Sequence, residues 1–204
     1  MMHRKAVQHL RRVDSILAGV IDMVGPCRFR AAPELSHFEA VARSIIHQQL
    51  SGKAAATIHG RFEELFAERR PRPEALDALS DEALRSAGIS RQKLSYLRDL
   101  THRVGAEKLP IVTLHELPDD EVIGHLTTVK GVGVWTAQMF LMFRLGRLDV
   151  LPDLDLGIRK GIQQAYRLRK LPTSERVNSI GSKWAPYRTI ASWYLWRSID
   201  GDAS

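Results

Sequence analysis

The sequence contains a single cysteine, Cys27, among 204 residues. One thiol excludes a disulfide within the chain and cannot build a Cys-rich zinc or iron–sulfur site. Eight histidines are present, yet none shows the H-E-x-x-H spacing or a comparable ligand pattern. No run approaches the roughly 20 apolar residues of a membrane span. Met1-Met2-His3-Arg4-Lys5 is not followed by the apolar stretch of a secretory signal. The expected location is therefore the reducing cytoplasm, with no membrane partner. Strand signals are scarce as well. Residues 111–114 are the one run that could extend, and Pro110 and Pro118 bracket it too closely for a sheet. There is no internal repeat and no low-complexity segment.

Hydrophobic residues make up 44% of the chain, enough for a packed core rather than disorder. The net charge of +7 and pI of about 9.8 suit a polyanionic partner, but an ordinary basic soluble protein carries the same balance. The length fits one compact domain, or two lobes sharing a cleft.

Helical periodicity runs through almost the whole sequence. Phe38, Val41, Ala42, Ile45 and Ile46 follow the i, i+3, i+4 rule, and Leu94, Leu97 and Leu100 keep helical spacing. Residues 81–87 form a short helix that stops at Gly88. Pro118 and three following acids open another. Residues 135–145 are apolar on nearly every side, which predicts a helix buried on all faces that ends at Gly146. Ile158, Ile162 and Tyr166 stripe one more helix, and an aromatic-rich helix spans 187–197. The fold class is all-α. A single domain over 1–204 is expected to hold a middle lobe at about 35–137 and a second lobe from about 1–34 plus 138–204, with a cleft between them.

Two segments carry chemistry. Gly131-Val132-Gly133 reads as a tight hairpin between two helices, where bare backbone N–H groups can hold a phosphate. A plain helix–helix turn would have the same glycines. Asp155 stands at the start of the following helix. Most such residues are N-caps, but a carboxylate near a held DNA backbone makes sense if it faces positive charge that develops in a reaction. The two roles are compatible, because a helix N-terminus favours negative charge. Asp153 is the rival carboxylate and reads as a cap or loop residue.

More of the chain follows one pattern. Residues 45–55 (IIHQQLSGKAA), 88–93 (GISRQK), 126–137 (LTTVKGVGVWTA), 155–161 (DLGIRKG) and 184–196, which open with Trp184-Ala185-Pro186-Tyr187-Arg188-Thr189, together resemble the helix-hairpin-helix DNA glycosylase superfamily. The nearest type is 3-methyladenine DNA glycosylase II, and the resemblance spans roughly residues 10–200. It implies a monofunctional glycosylase that hydrolyses the N-glycosidic bond of alkylated bases, of the 3-methyladenine and 7-methylguanine type, in base excision repair. A non-catalytic helix-hairpin-helix protein that binds DNA structure is the alternative. A helix-turn-helix regulator fits less well, since no recognition helix rich in Arg, Asn and Gln follows the hairpin.

The resemblance also implies roles. Asp155 is the catalytic acid, since the Leu-Gly after the family's acid follows it and not Asp153. Trp135, Trp196, Met139 and His47 form the base pocket, with the tryptophans drawing a cationic base by their ring faces. Met139 stands where a close relative has tyrosine. Gln49 and Leu50 are the wedge that fills the space of the extruded base. Gly131, Gly133, Thr136, Ala137, Lys130, Ser51, Lys53, Ser90, Arg91 and Lys93 contact the DNA backbone. Carbonyls of Thr127, Val129 and Val132 bind a monovalent cation. No cofactor is required and no iron–sulfur cluster is present. Strand-nicking relatives carry a lysine where this chain has Trp135, so no Schiff base forms there. The implied partner is double-stranded DNA containing alkylated bases, met by a monomer that lies on the nucleoid if the source is bacterial. The length leaves no room for the extra N-terminal β domain of larger members.

Overall fold

The structure is a computed structural model that describes residues 3–32 and 34–200. Among these residues there are helices and turns and no strand. In chain order the helices are α1 (Arg4–Val13), α2 (Ser15–Val24), α3 (His37–His47), α4 (Gly52–Glu63), α5 (Pro73–Ala78), α6 (Asp81–Ser86), α7 (Arg91–Gly105), α8 (Asp119–Thr127), α9 (Val134–Met139), α10 (Leu156–Ala165), α11 (Ser174–Gly181) and α12 (Arg188–Asp200). Residues 111–114 do not extend. They turn into a short 3-10 segment, Leu114–Glu116, with Leu114 buried.

The chain divides into two compact units, Ala32–Leu145 and Met1–Ala31 with Gly146–Ser204. The boundary therefore falls after 145 and not at 137. The reason is local: α9 runs on without a break into a wider π turn, Phe140–Arg144, closed by a bond from the Leu145 amide to the Phe140 carbonyl at 3.0 Å. That turn packs on α3 within the middle unit. The run ends at Gly146, as expected. It is not buried on all faces, however. Val134 and Trp135 are each 50% exposed, while Ala137, Leu141 and Met142 form the inward side.

In the middle unit α7 is the central support. It packs against α3, α5 and α6, and α8 packs against α9. Leu94, Leu97 and Leu100 form its buried stripe, as their spacing predicts.

The other unit is built on α12, which packs against α10, α2 and α1. Ile190, Ala191, Tyr194 and Leu195 are fully buried, and so are Thr189 and Ser192. This is the helix without a solvent face, apart from its C-terminal turn. A buried carboxylate, Asp14, links the unit's parts. It caps α2 through the Ile16 and Leu17 amides, both 3.1 Å from Oδ1. Its Oδ2 accepts from Trp184 Nε1 at 2.8 Å and from the Tyr166 hydroxyl, with Lys183 Nζ at 3.1 Å. Burial alone would raise its pKa. The bonds from Tyr166, Trp184, Leu17 and Lys183 outweigh that and hold the carboxyl below its ordinary range.

Replacing Asp14 by Ala removes a helix cap and strands two buried donors, so it should cost about 2–4 kcal/mol of stability, read from urea unfolding. The pH dependence follows from the lowered pKa. Stability from this carboxylate is complete above the unfolded-state value near ~4 and disappears as pH falls through the folded value. The wild type should thus lose stability below that pH, and Asp14→Asn should lose less over the same range.

Candidate nucleic-acid and catalytic site

Asp155 is the N-cap of α10. Its Oδ1 accepts from the Ile158 amide and from Trp196 Nε1, both at 2.8 Å. Gly157 makes the second bond possible, because a Cβ there would lie 2.7 Å from Trp196 Cδ1. The Leu156-Gly157 pair after the acid thus has a packing cause. Trp196, expected as a pocket ring, has its indole N–H committed to the carboxylate. Leu154 and Leu156 flank Asp155 and are 66% and 53% exposed.

The segment leading to Asp155 is tied down by the motif that begins at Trp184. Arg188 forms a two-pronged pair with Asp149, at 2.7 and 2.9 Å. The Thr189 hydroxyl donates to the Arg147 carbonyl at 2.7 Å and accepts from the Val150 amide at 3.0 Å. Asp153 accepts from Asn178 Nδ2 at 2.8 Å and from the Ser174 hydroxyl. It is a tie to α11, in keeping with its reading as a structural residue. Sequence reasoning gave no role to Asp149, and the Arg188 that pairs with it 39 residues later was the available signal.

In the middle unit, the hairpin and the α3–α4 loop are held by one face of α7. Lys93 Nζ donates to the carbonyls of Ile46 and Gln48, at 2.6 and 2.7 Å, and so closes the C-terminal end of α3. Burial pushes this ammonium below its ordinary pKa. Tyr96 lies one turn on, where its ring underlies Gly131. Asp99 Oδ2 accepts from the Lys130 amide at 2.9 Å and pairs with Arg103 at 2.8 Å. Burial alone would raise the Asp99 carboxyl, but the Lys130 amide and Arg103 hold it below its ordinary value. Gln48 Nε2 then donates to the Gly131 carbonyl at 2.8 Å, which joins the loop to the hairpin directly. Tyr96 and Asp99 were absent from the sequence reading.

Several expected backbone contacts change as a result. Lys93 is spent on α3. Ala137 is fully buried and its amide bonds the Gly133 carbonyl at 3.1 Å, so it cannot reach a phosphate. Thr136 is 9% exposed and lines a pocket instead. Ser90 caps α7 through its hydroxyl, 3.2 Å from the Lys93 amide, on an exposed turn. Lys130, Ser51, Lys53 and Arg91 are exposed, as are Gly131 and Gly133. Helix α9 has no side-chain cap, which leaves its first turn open to an outside acceptor. Gln49 is exposed with φ +55°, a left-handed conformation that is strained for a non-glycine residue. Leu50 is half-buried beside it.

His47 and Met139 meet in one cavity of about 440 Å³ between α3 and the α9–π segment, together with Arg43, Phe140, Phe143 and Arg144. Trp135 does not line it. Among the described residues no group of three His, Cys, Asp or Glu is placed to hold a metal, and no helix is long and apolar enough to cross a membrane.

Comparison with known proteins now decides the family. A family model described as HhH-GPD superfamily base excision DNA repair protein matches residues 42–186. The chain belongs to this superfamily. It is 35% identical over 197 residues to DNA-3-methyladenine glycosylase 1 of Schizosaccharomyces pombe, covering 95% of this chain and 86% of that one. A Schizosaccharomyces pombe 3-methyladenine DNA glycosylase solved in complex with abasic DNA superposes with a TM-score of 0.82 at 34% identity, over 94% and 95% of the two chains. A DNA-3-methyladenine glycosidase from Bacillus halodurans gives 0.86 at 38%, over 97% and 90%. The HhH-GPD model spans the hairpin, the Asp155 segment and the Trp184–Pro186 start of the last motif.

The two hairpin glycines should respond differently to substitution. A Cβ on Gly131 would lie 2.2 Å from Tyr96 Cδ2, and its φ is +78°. Gly133 has φ −95° and nothing within 4 Å of such an atom. Gly131→Ala should therefore destabilise the protein by about 1–3 kcal/mol in thermal unfolding. Gly133→Ala should unfold like the wild type.

Proposed function

We propose that the protein is a monofunctional DNA glycosylase of base excision repair that removes alkylated bases of the 3-methyladenine and 7-methylguanine type. The observation that carries this is Asp155, held by two donors on one oxygen, in a superfamily member whose similar relatives are named as 3-methyladenine glycosylases. The partner is double-stranded DNA, met by a monomer in the cytoplasm or on the nucleoid. The non-catalytic alternative accounts for Asp155 as a helix cap but not for the second bond from Trp196.

Exposed Lys130, Lys53, Arg91, Ser51 and Ser90, with the hairpin amides of Gly131 and Gly133, grip the phosphates. Gln49, with Leu50, takes the place of the extruded nucleotide, at a point where strained backbone already projects the side chain. The base enters the pocket of His47 and Met139, with Trp135 at the surface beside it in sequence. The bond between C1′ and the base nitrogen breaks, and its electron pair leaves with the base. The positive charge left on the sugar is stabilised by the Asp155 carboxylate. Asp155 then orients water for addition to C1′ and accepts its proton. The products are free base and an abasic site.

Trp135 offers no amine for a Schiff base, and Lys93 is occupied by two carbonyls. Both support hydrolysis without strand cleavage. No cofactor or iron–sulfur cluster takes part in these steps. The carbonyls of Thr127, Val129 and Val132 would hold a monovalent cation. They are backbone oxygens in a turn, a donor chemistry that suits such an ion, and Val129 already accepts the Val132 amide at 3.0 Å. A cation there would offset phosphate charge.

The test is base release from DNA treated with a methylating agent. Asp155→Asn should nearly abolish release while DNA binding persists, and Asp153→Asn should have a much smaller effect. Unchanged turnover by the Asp155 variant would remove the assignment. Trp196→Phe keeps a ring but loses the bond to Asp155. A hydrogen bond to a charged group contributes about 1.5–3 kcal/mol, so single-turnover excision should slow roughly 10- to 150-fold, alike for cationic and neutral lesions. Selective slowing on cationic bases would favour ring-face attraction instead.

A further inference from the structure

Leu154 and Leu156 stand on either side of Asp155, and both are exposed. Single apolar side chains at a surface are ordinary. These two sit where local structure favours other residues. The Asp155 amide donates to the Pro152 carbonyl at 3.0 Å, which closes a turn over 152–155 with Leu154 at its third position. Gly, Asn, Asp and Ser dominate such turns. Leu156 is the first residue of α10, a position that favours proline or an acid. Neither leucine belongs to the buried core. Two departures from local rules, with no gain to the fold, point to a functional contact.

The nature of that contact follows from the residue between them. Consecutive Cα atoms are about 3.8 Å apart, so a group seated on the Asp155 carboxylate comes within reach of both leucines. On the proposed reaction that group is the deoxyribose of the extruded nucleotide, whose carbon face is apolar and whose phosphates follow on either side. Lys160 is exposed four residues beyond Leu156 and shares its face of α10. An apolar side chain with an ammonium one turn on matches a sugar followed by its phosphate. An apolar protein surface fits less well, because it would bury the carboxylate between the leucines without an opposing charge.

We propose that Leu154 and Leu156 close on the deoxyribose of the damaged nucleotide, with Lys160 on the adjacent phosphate, and that this closure sheds bulk water from around the Asp155 carboxylate. This rests on the glycosylase reading above. With fewer waters around it, the carboxylate attracts the positive charge developing on the sugar more strongly, because the local dielectric falls. The attacking water stays, oriented by Asp155 itself.

The experiment measures single-turnover release of 7-methylguanine from duplex DNA at saturating protein, beside affinity for the same duplex. The variants are Leu154→Asn, Leu156→Asn and the matching methionine substitutions. Asparagine is branched like leucine but polar, while methionine keeps the apolar character and volume. Each Asn variant should slow release about tenfold at saturation, with affinity changed less than threefold. Each Met variant should recover most of that loss. Thermal unfolding reports whether each variant folds, and either leucine position carries the test if the other does not. Lys160→Gln should weaken binding to damaged and undamaged duplex alike and flatten its dependence on salt. Wild-type release rates in both Asn variants, or equal slowing by Asn and Met, would overturn this proposal and leave the glycosylase reading intact. A salt dependence unmoved by Lys160→Gln would remove the phosphate contact. A wild type that releases no methylated base would overturn both readings.

Discussion

One carboxylate oxygen, Asp155 Oδ1, receives a backbone amide from its own helix and an indole N–H from α12. Each bond alone leaves freedom: a cap fixes the carboxylate to α10 but not to the rest of the unit. The second bond ties it to the most deeply buried helix of that unit. On the proposed mechanism such fixing favours charge stabilisation, because no reorientation is then needed as charge develops. Much of the surrounding sequence serves this bond. Gly157 clears the space for the Trp196 ring, and Arg188, Thr189 and Asp153 fasten the loop that delivers the acid.

Local features of this arrangement were legible in the sequence, and distant ones were not. Helix ends at Gly88 and Gly146, the caps, and the Leu94–Leu97–Leu100 stripe depend on residues a turn apart, so spacing reveals them. Asp155 could be read as a cap for the same reason, and the Leu-Gly beside it marked it out from Asp153. Lys93 shows the opposite. Its sequence context is that of a surface lysine, yet its partners are carbonyls 45 and 47 residues away. Asp99 under Lys130 and Asp14 under Trp184 are likewise set by tertiary packing, and no periodicity encodes them. For Trp196 the sequence suggests a stacking ring, while only the fold shows that its N–H goes to Asp155. The apolar run at 135–145 predicts burial on every face, yet Trp135 is exposed because the first turn of α9 emerges from the hairpin at the surface.

The face of α7 that carries Lys93, Tyr96 and Asp99 gives the middle unit its mechanical character. These residues recur every three positions, so they lie along one side of a rigid helix. Lys93 holds the end of α3, Tyr96 lies against Gly131, and Asp99 holds the amide of Lys130. The Gln48 bond to Gly131 closes the circuit. Loop and hairpin are consequently parts of one body, although Gln48 and Gly131 are 83 residues apart in the chain.

That coupling bears on how extrusion of a base is driven. Unstacking a nucleotide costs a few kcal/mol, and backbone contacts carry no sequence information. If the phosphate grip and the wedge moved independently, grip energy could be satisfied with the duplex undisturbed. Under the proposed function, a hairpin locked to the Gln49 loop would remove that option, because seating the phosphates would also drive Gln49 toward the stack. Binding energy from non-reacting parts of the substrate is then applied to distortion at the reacting one. The strained backbone of Gln49 is consistent with this, since the residue before it is held twice, at its carbonyl by Lys93 and at its side chain by Gly131. On the proposed reading, the second glutamine and the buried lysine, which look redundant in the sequence, are what would couple a phosphate-binding turn to the opening of DNA.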